Sequence, residues 1–378
     1  MEKIWVSIPD VLFFQEGPGV RNTQYTTDGV KLLNVANLVD GKVDLSTSDR
    51  YISEDEAYGK YEHFLCDAGD FIIASSGIKV EYIDKKMGFV DESMLPLCMN
   101  TSTIRFKVLD KNQLRIRYFM YYLKSQHFKE QLFKQITGSA QLNYGPSHLK
   151  KMVMPLIDID KQDEIVACMD KVQNIIEMRQ QELFQLDELI KARFVELFGD
   201  PELNPMGWER VTLNDVCSSI VRGPFGSALK KEFFVEHNEN TYKVYEQKHA
   251  IQKSATIGTY YITEEKYQEL KRFECLSGDI LMSCSGTMGE LYQLPVGCEK
   301  GVINQALCKF TLNKRILPIC FLVYMQQTIG NLETKGSGIQ NIAAVSYVKQ
   351  MPINLPPMEV QNEFEQFVKQ VDKSKFVA

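Results

Sequence analysis

Two stretches of this sequence align without gaps: FLCDAGDFIIASSG, from Phe64 to Gly77, and FECLSGDILMSCSG, from Phe273 to Gly286. Identical residues occupy six of the fourteen positions. Both copies set a Gly-Asp pair before a short apolar run and a Ser/Gly turn, which is the pattern of a buried strand that ends in a tight turn. The sequence therefore predicts the same strand and turn in two places.

Two further matches flank this block in the same order. The only tryptophans, Trp5 and Trp208, open the stretches WVSIPDV and WERVTLNDV, and residues 147–172 later align without gaps with residues 346–371. A period of about 200 residues is far longer than that of a solenoid, so it predicts two whole domains built from one unit. A duplication that serves only stability or symmetry is the alternative interpretation.

Each unit is predicted to mix strands and helices. STIRFKV and ALCKFTL have the composition of a later strand in the first and second unit, respectively. Apolar residues then recur at intervals of three and four from Leu114 to Gln135, and again from Ile316 to Ile329. This spacing predicts a helix packed against a sheet in both units.

A long helix is predicted between the units, because no Pro or Gly interrupts the chain from Gln162 until Gly199. Its apolar residues follow a heptad pattern, which is typical of a coiled-coil seam. About 37 residues at 1.5 Å each span about 55 Å, which favours a spacer. Arg179 and Arg193 interrupt the seam, and we expect them to reach acids on a partner helix. The seam residues are Met169, Val172, Ile176, Leu183, Leu186, Ile190 and Leu197.

The predicted fold class is therefore α+β: two similar mixed α/β domains, related by a pseudo-twofold axis, with long coiled-coil helices between them. The final helix, which follows LPPMEVQNEF, is shorter than the central one, and we expect the two helices to pair antiparallel. The predicted segments are a first domain at 1–158, a central helix at 159–199, a second domain at 200–357 and a shortened distal helix at 358–378.

Composition excludes several classes of protein. With 44% apolar and 24% charged residues, the chain matches ordinary globular proteins and not disordered ones. No apolar run is long enough to span a membrane, and the start lacks the layout of a signal peptide. Nine scattered cysteines without a C-x-x-C pair favour reduced thiols, so we expect a cytoplasmic protein with no membrane partner. The net charge of −6 is concentrated on the central helix, which leaves the domains nearly neutral.

Recognisable catalytic motifs are absent from the sequence. It contains neither a phosphate-binding P-loop nor a G-x-G-x-x-G turn, and its five histidines lack metal-ligand spacing. LPPM, at Leu355 to Met358, lacks the amide or acid and the aromatic ring that an adenine methyltransferase needs beside the two prolines. Glu246 and Lys248 form a single E-x-K, a very weak nuclease signal.

Gly-rich polar turns are better candidates for binding. RGPFGSALKK, from Arg222 to Lys231, combines a tight turn with a hydroxyl and three cations, a set suited to phosphates and groove edges. SCSGTMG, SSGIK and the amides of GSAQLN and GSGIQN repeat the theme, although ordinary tight loops have the same composition. The predicted DNA contacts are Ser76, Lys79, Ser139, Gln141, Asn143, Arg222, Ser227, Lys230, Lys231, Ser285, Thr287, Ser337, Gln340 and Asn341.

As a set, GPFGSALK, CLSGDILMSCSGTMG, GSGIQNI and MPINLPPMEVQ resemble the specificity subunits of type I restriction-modification enzymes, and the resemblance covers the whole chain. It implies that each domain is a target-recognition domain that reads part of a bipartite double-stranded DNA target. The first half matches less closely, because SSGIK and DIDKQDEI depart from the family pattern.

The resemblance also implies partners. Two adenine-N6 methyltransferase subunits would use S-adenosylmethionine, and restriction subunits would use ATP and Mg²⁺, while this chain would bind no cofactor and catalyse nothing itself. Two rival hypotheses remain: a single-chain nuclease or methyltransferase with an unrecognised site, and a coiled-coil scaffold without a DNA role.

Overall fold

The computed structural model of the chain describes residues 4–77, 79–135, 143–329 and 345–377. The chain forms two compact units, Met1–Glu177 and Met178–Ala378. Both units combine short helices with small sheets, so the predicted α+β class with two similar domains is confirmed. None of the described helices is both long enough and apolar enough to cross a membrane.

The first unit contains eleven described strands and five short helices, followed by the long helix α6, which continues into the second unit. The strands are β1 (Ile4–Ser7), β2 (Leu12–Glu16), β3 (Val30–Leu33), β4 (Leu38–Val39), β5 (Lys42–Val43), β6 (Tyr51–Ile52), β7 (Phe71–Ala74), β8 (Met87–Phe89), β9 (Leu97–Met99), β10 (Thr103–Val108) and β11 (Val153–Leu156). The helices are α1 (Ile8–Val11), α2 (Glu54–Tyr58), α3 (Ile116–Lys124), α4 (Gln126–Gln135), α5 (Pro146–Leu149) and α6 (Ile159–Phe198).

The second unit repeats this series. Its strands are β12 (Glu209–Thr212), β13 (Cys217–Arg222), β14 (Thr241–Tyr245), β15 (Tyr261–Thr263), β16 (Glu274–Cys275), β17 (Ile280–Ser283), β18 (Leu291–Gln293), β19 (Gly301–Ile303), β20 (Leu307–Leu312) and β21 (Pro352–Leu355). Its described helices are α7 (Leu213–Val216), α8 (Gln247–Ile251), α9 (Glu264–Glu269), α10 (Pro318–Thr328), α11 (Val345–Gln350) and α12 (Met358–Val377).

Sheet topology is similar in the two units, and the order of the larger antiparallel sheet is the same in both. A four-stranded antiparallel sheet has the order β2-β10-β7-β8 in the first unit and β13-β20-β17-β18 in the second. A second sheet, β6-β3-β9 or β15-β14-β19-β16, contains one parallel pair in each unit. The β4-β5 hairpin has no counterpart among the described strands of the second unit. The duplicated sequence blocks therefore fold into duplicated sheets.

The repeated Gly-Asp pair has a structural cause. Asp70 precedes β7 and forms a buried ion pair with Arg105 of β10 at 3.1 Å. In the second unit, Asp279 and Lys309 of β20 occupy the same positions, 3.3 Å apart. Buried charges are tolerated only when they are paired, so each aspartate ties the turn before its strand to the neighbouring strand.

The single helix predicted from Leu114 to Gln135 is instead two helices, α3 and α4. Ser125 between them has an extended backbone, with φ −70° and ψ 149°. Its side-chain oxygen accepts a hydrogen bond from the Phe128 amide at 3.3 Å, which begins the next helix. Serine competes for backbone hydrogen bonds in this way at helix starts, and apolar spacing does not reveal the break.

A buried glutamine anchors the start of the last helix of each unit. The Gln162 Oε1 atom accepts a hydrogen bond from the Arg115 amide at 2.9 Å, and Gln361 does the same for the Leu317 amide at 2.9 Å. Both side-chain amides also donate to two backbone carbonyls. The backbone amides of Arg115 and Leu317, at the starts of α3 and α10, thereby gain the hydrogen-bond acceptors that helix ends require.

Helix α6 begins at Ile159 and ends at Phe198, where Gly199 has φ +77°. In the first unit Asp170 accepts hydrogen bonds from Arg117 and Tyr121 of α3 at 2.6 and 2.5 Å. Burial would raise the pKa of Asp170, but these two hydrogen bonds, together with the positive charges of Arg117 and Lys124, outweigh burial and lower the pKa from its ordinary value.

In the second unit α12 pairs antiparallel with the end of α6, as expected. Glu363, near the start of α12, bonds Arg193 at 2.5 Å, whereas Lys375 near its end bonds Asp187 at 2.7 Å. Phe364 lies between these ends and packs on two phenylalanines of α6. The expectation of a seam arginine paired with an acid on another helix is thus confirmed for Arg193.

Candidate nucleic-acid interface

In each unit, the candidate interface lies where strands of the four-stranded antiparallel sheet end in polar turns. One of these turns in each unit contains a Gly-Pro pair. A Cβ atom on Gly17 would lie 2.1 Å from the backbone oxygen of Asn100, and one on Gly223 would lie 1.9 Å from that of Asn304. Only glycine allows so close an approach between two main chains. The sequence comparison recognised GPFGSALK but missed GPGV as its counterpart, although both Gly-Pro pairs follow a strand.

In the second unit, three of the predicted residues are held close to one another. The Gln247 side-chain amide donates to the backbone oxygens of Ser285 and Thr287, the latter at 3.1 Å. The pKa of Cys284 is lowered by a hydrogen bond with Cys308 against the effect of burial, and further by the nearby guanidinium of Arg222. Arg222, Ser285 and Thr287 therefore lie around one turn, which Gln247 braces.

Gln247 is a site residue that the sequence analysis missed. It lies between Glu246 and Lys248, whose E-x-K spacing is only a weak nuclease signal and which form an ion pair at 2.6 Å in the structure. His249 is fully buried and hydrogen-bonded to backbone at both ring nitrogens. Among the described residues, no group of three or more His, Cys, Asp or Glu is arranged to hold a metal ion.

The basic end of RGPFGSALKK is solvent-exposed. Ser227, Lys230 and Lys231 are exposed on two short turns, with Lys230 3.6 Å from Glu232. Exposed lysines on a turn keep their ammonium groups available to phosphates, because a surface ion pair holds them only weakly.

Aromatic contacts join this segment to the braced turn. Phe234 stacks on Tyr260 with ring centroids 4.4 Å apart, and the Lys248 ammonium lies 5.3 Å from the centroid of the same tyrosine. The cationic loop and the α8 residues that include Gln247 thus belong to one surface, which we call the unit 2 loop surface: Arg222–Lys231, Gln247–Lys248 and Ser285–Thr287.

In the first unit, the predicted Ser76 and Asn143 are brought together by an antiparallel bridge. The Tyr144 amide donates to the Ser75 oxygen at 2.9 Å, so the chain from Asn143 onward closes over the turn after β7. Of the remaining predicted contacts, Ser139, Gln141, Ser337, Gln340 and Asn341 lie outside the described residues.

Lys79 lies in a basic groove that the sequence analysis did not recognise. The groove has a volume of about 350 Å³, and its lining includes Lys79, Lys85, Lys86 and the half-exposed ring of Tyr82. Lysines interleaved with an aromatic ring are a combination that suits nucleic acid. The Lys-Lys pair three residues after Tyr82 is the signal that could have revealed it. We call the turn after β7 with this groove the unit 1 loop surface: Ser75–Gly77 and Lys79–Lys86 with Asn143.

The predicted seam of α6 divides into two parts. Leu186, Ile190 and Leu197 pack in the core of the second unit with α12. The other four seam residues are exposed by 38% to 46%, and these are Met169, Val172, Ile176 and Leu183. Arg179 pairs with Glu182 of its own helix at 2.6 Å, so its expected bond to an acid on another helix stays a prediction.

The fold and the surfaces together define a class: proteins that carry two copies of one α+β recognition unit, joined by a long helix. The family model of the type I restriction modification DNA specificity domain matches the chain twice, over residues 29–188 and 205–376. The chain belongs to this family of type I restriction-modification specificity subunits.

Individual relatives are distant. The type I restriction enzyme MjaVIII specificity subunit of Methanocaldococcus jannaschii is 24% identical over 190 residues, which covers 49% of this chain and 43% of that subunit. The chain thus spans less than half of that relative.

Two solved structures have a similar fold. The S subunit of a type I restriction-modification system from M. genitalium has a TM-score of 0.52 at 14% identity, and the match covers 99% of this chain and 90% of that one. A chain from a study of complex assembly in the type I R-M system has a TM-score of 0.56 at 16% identity, covering 99% and 91%.

Proposed function

We propose that this chain is the DNA-reading subunit of a type I restriction-modification complex, and that its two units read the two halves of a bipartite target. The observation that carries the proposal is the duplication of the loop surfaces. Each unit ends the same edge strand in a Gly-Pro turn and the same central strand in a Ser-Gly turn. Two copies of one reader suit a target with two recognised parts, whereas a single catalytic site would need only one.

Within each surface we assign different tasks to different side chains. Lys230, Lys231 and Lys79 are exposed cations and would contact phosphates, which sets affinity but not sequence. Ser285 and Thr287 lie on a turn braced by Gln247 and would approach base edges. A braced turn suits base reading because a hydrogen-bonding group discriminates only when its position is fixed.

Helix α6 is proposed to set the gap between the two recognised parts. Its 40 residues correspond to about 60 Å at 1.5 Å per residue. One turn of DNA is about 34 Å long, so a helix of this length matches a separation of one to two turns. The exposed seam residues Met169, Val172 and Ile176 offer an apolar surface for other subunits.

Those subunits are proposed to be two adenine-N6 methyltransferase subunits that use S-adenosylmethionine, joined by restriction subunits that use ATP and Mg²⁺. The chain itself is proposed to be non-catalytic and to bind double-stranded DNA in the cytoplasm. In this proposal, this chain selects the DNA site, and its partner subunits catalyse the reactions there.

Methylated DNA provides the test. The chain, assembled with its methyltransferase subunits, should methylate adenines within a two-part motif that has a fixed gap, as read by sequencing of modified bases. A continuous motif, or methylation without sequence preference, would contradict the two-reader proposal. Turnover by the purified chain on DNA with Mg²⁺ or S-adenosylmethionine would favour the enzyme hypothesis, and absence of salt-dependent DNA binding by the complex would favour the scaffold.

A further inference from the structure

Glu16 and Arg222 occupy the same place in the two units. Glu16 is the last residue of β2 and faces Ile104, whereas Arg222 is the last residue of β13 and faces Cys308. The glycine of the Gly-Pro turn follows each of them, and its amide donates to the first residue of β10 or β20, at 2.9 and 3.0 Å. One fold position thus carries opposite charges in the two readers.

Both side chains also face the same feature, the turn after the central strand. The Glu16 carboxylate accepts a hydrogen bond from the Ser75 hydroxyl at 3.4 Å, and a Cβ atom on Gly145 would lie 3.3 Å from its other oxygen. Arg222 faces Cys308, and Cys308 faces Met282, two residues before Cys284, which aligns with Ser75 in the duplicated block. The end of β2 or β13 therefore directs its last side chain toward the turn after the central strand, which in the second unit we assign to base reading.

Glu16 lacks a positive partner within the described part of the chain. It is half-buried, yet no nitrogen of a described Lys, Arg or His lies within 4 Å of its carboxylate. The segment 136–142, which precedes Asn143 in sequence, contains no basic residue. Its hydrogen bond from Ser75 is long, so the carboxylate keeps the capacity to accept a hydrogen bond from a bound molecule.

DNA chemistry then limits what a carboxylate can contact. Phosphates repel it, so its partner must be a hydrogen-bond donor on a base edge. In the major groove cytosine presents the N4 amino group, and Glu or Asp accepts from it. Adenine presents its amino group beside the N7 acceptor, which repels a carboxylate and suits an amide instead. Guanine presents two acceptors, which match a guanidinium.

We propose that Glu16 and Arg222 are one specificity position in two versions, at which Glu16 accepts a hydrogen bond from a cytosine amino group and Arg222 donates to a guanine. The inference rests on the proposed function of the two units as DNA readers. It predicts a cytosine at one position in the half-site of the first unit and a guanine at one position in the half-site of the second.

The test is the motif selected from a random duplex library by the full chain assembled with its methyltransferase subunits. In Glu16→Gln, the preference for cytosine should fall by about tenfold or more and adenine should be accepted, because an amide pairs with the adenine edge. Arg222→Gln should likewise replace guanine by adenine, and in each variant the other half-site should stay as in the wild type. Glu92→Gln and Arg272→Gln, at exposed positions of the two units, are the matched controls and should leave both half-sites unchanged.

Two results would overturn the inference while leaving the proposed function intact: both variants select the wild-type motif, or they bind all sequences more weakly with no change of base. If a glutamine variant does not fold, as judged by its thermal melt, Glu16→Ala or Arg222→Ala replaces it, and the base preference at that one position should then be lost. Retention of the full base preference by those variants would count against the inference. If the wild-type assembly selects no motif at all, the proposed function itself fails.

Discussion

Arg105→Met should destabilise the first unit far more than the same change at Arg115. The Arg105 guanidinium is 5% exposed and bonds the Asp70 carboxylate at 3.1 Å and the Leu65 and His63 backbone oxygens at 2.7 and 2.9 Å. Methionine fills much of the same volume but leaves a buried carboxylate and two backbone acceptors without this donor.

The expected loss of stability depends on how deeply each ion pair is buried. Loss of one partner of a buried ion pair costs about 3 to 5 kcal/mol. Lys107 remains 3.3 Å from the other Asp70 oxygen, so we expect the lower end, about 3 kcal/mol. Arg115 pairs with Asp163 at 2.7 Å, but both side chains are 40% or more exposed, so solvent screens the pair and its replacement should cost little stability.

Urea denaturation measures both changes. The chain has two tryptophans, Trp5 in the first unit and Trp208 in the second, so in a Trp208→Phe background the fluorescence of Trp5 reports the first unit. Adding Asp70→Asn to Arg105→Met removes the stranded charge and should restore more than about 1 kcal/mol. Equal losses for Arg105→Met and Arg115→Met, or no recovery in the double variant, would refute the role given to the buried pair.

Three further outcomes are expected. Lys230→Ala and Lys231→Ala should each weaken DNA binding on every sequence and reduce the slope of log K against log salt by about 1, as measured by titration at several salt concentrations; a change of base preference would contradict a phosphate contact. Folding lowers the pKa of Asp170, so the stability that this group contributes is present above its unfolded pKa of about 3.9 and is lost as pH falls through its folded pKa. Asp170→Asn should therefore flatten the acid limb of a curve of stability against pH, and an unchanged limb would refute this. Phe364→Ala should cost about 3 to 5 kcal/mol in thermal or urea unfolding of the second unit, whereas Phe376→Ala, 94% exposed on the same helix, should cost almost nothing, and equal effects would show that α12 does not pack as described.

Much of the fold could be predicted from local patterns. The duplicated Gly-Asp blocks correspond to β7 and β17, and the uninterrupted heptads correspond to α6. These predictions succeed because strand and helix periods and the turn residues that end them are properties of short segments. The break at Ser125 escaped the same reasoning, because apolar spacing continues across it while the backbone does not.

The candidate surfaces were less predictable, since they depend on which loops meet. A register shift between Cys217 and Ser219 adds a residue to β13, so GPGV and GPFG lose their alignment in sequence although they match in space. Gln247 stands 38 residues before Ser285, and no local signal links a brace to the turn it holds. Lys85 and Lys86 become candidates for nucleic-acid binding only because the fold places them beside Lys79 in one groove.

By itself, the sequence determined that the protein is one α+β unit used twice, with a long helix between the copies, because repetition and periodicity are written in consecutive residues. Only the tertiary structure decided that Glu16 and Arg222 share one position, that Gln247 braces a turn, and that three of the seven α6 seam residues pack in the core with α12. These features join segments far apart in the chain, and their contacts exist only once the sheets have closed and brought the loops to a common edge.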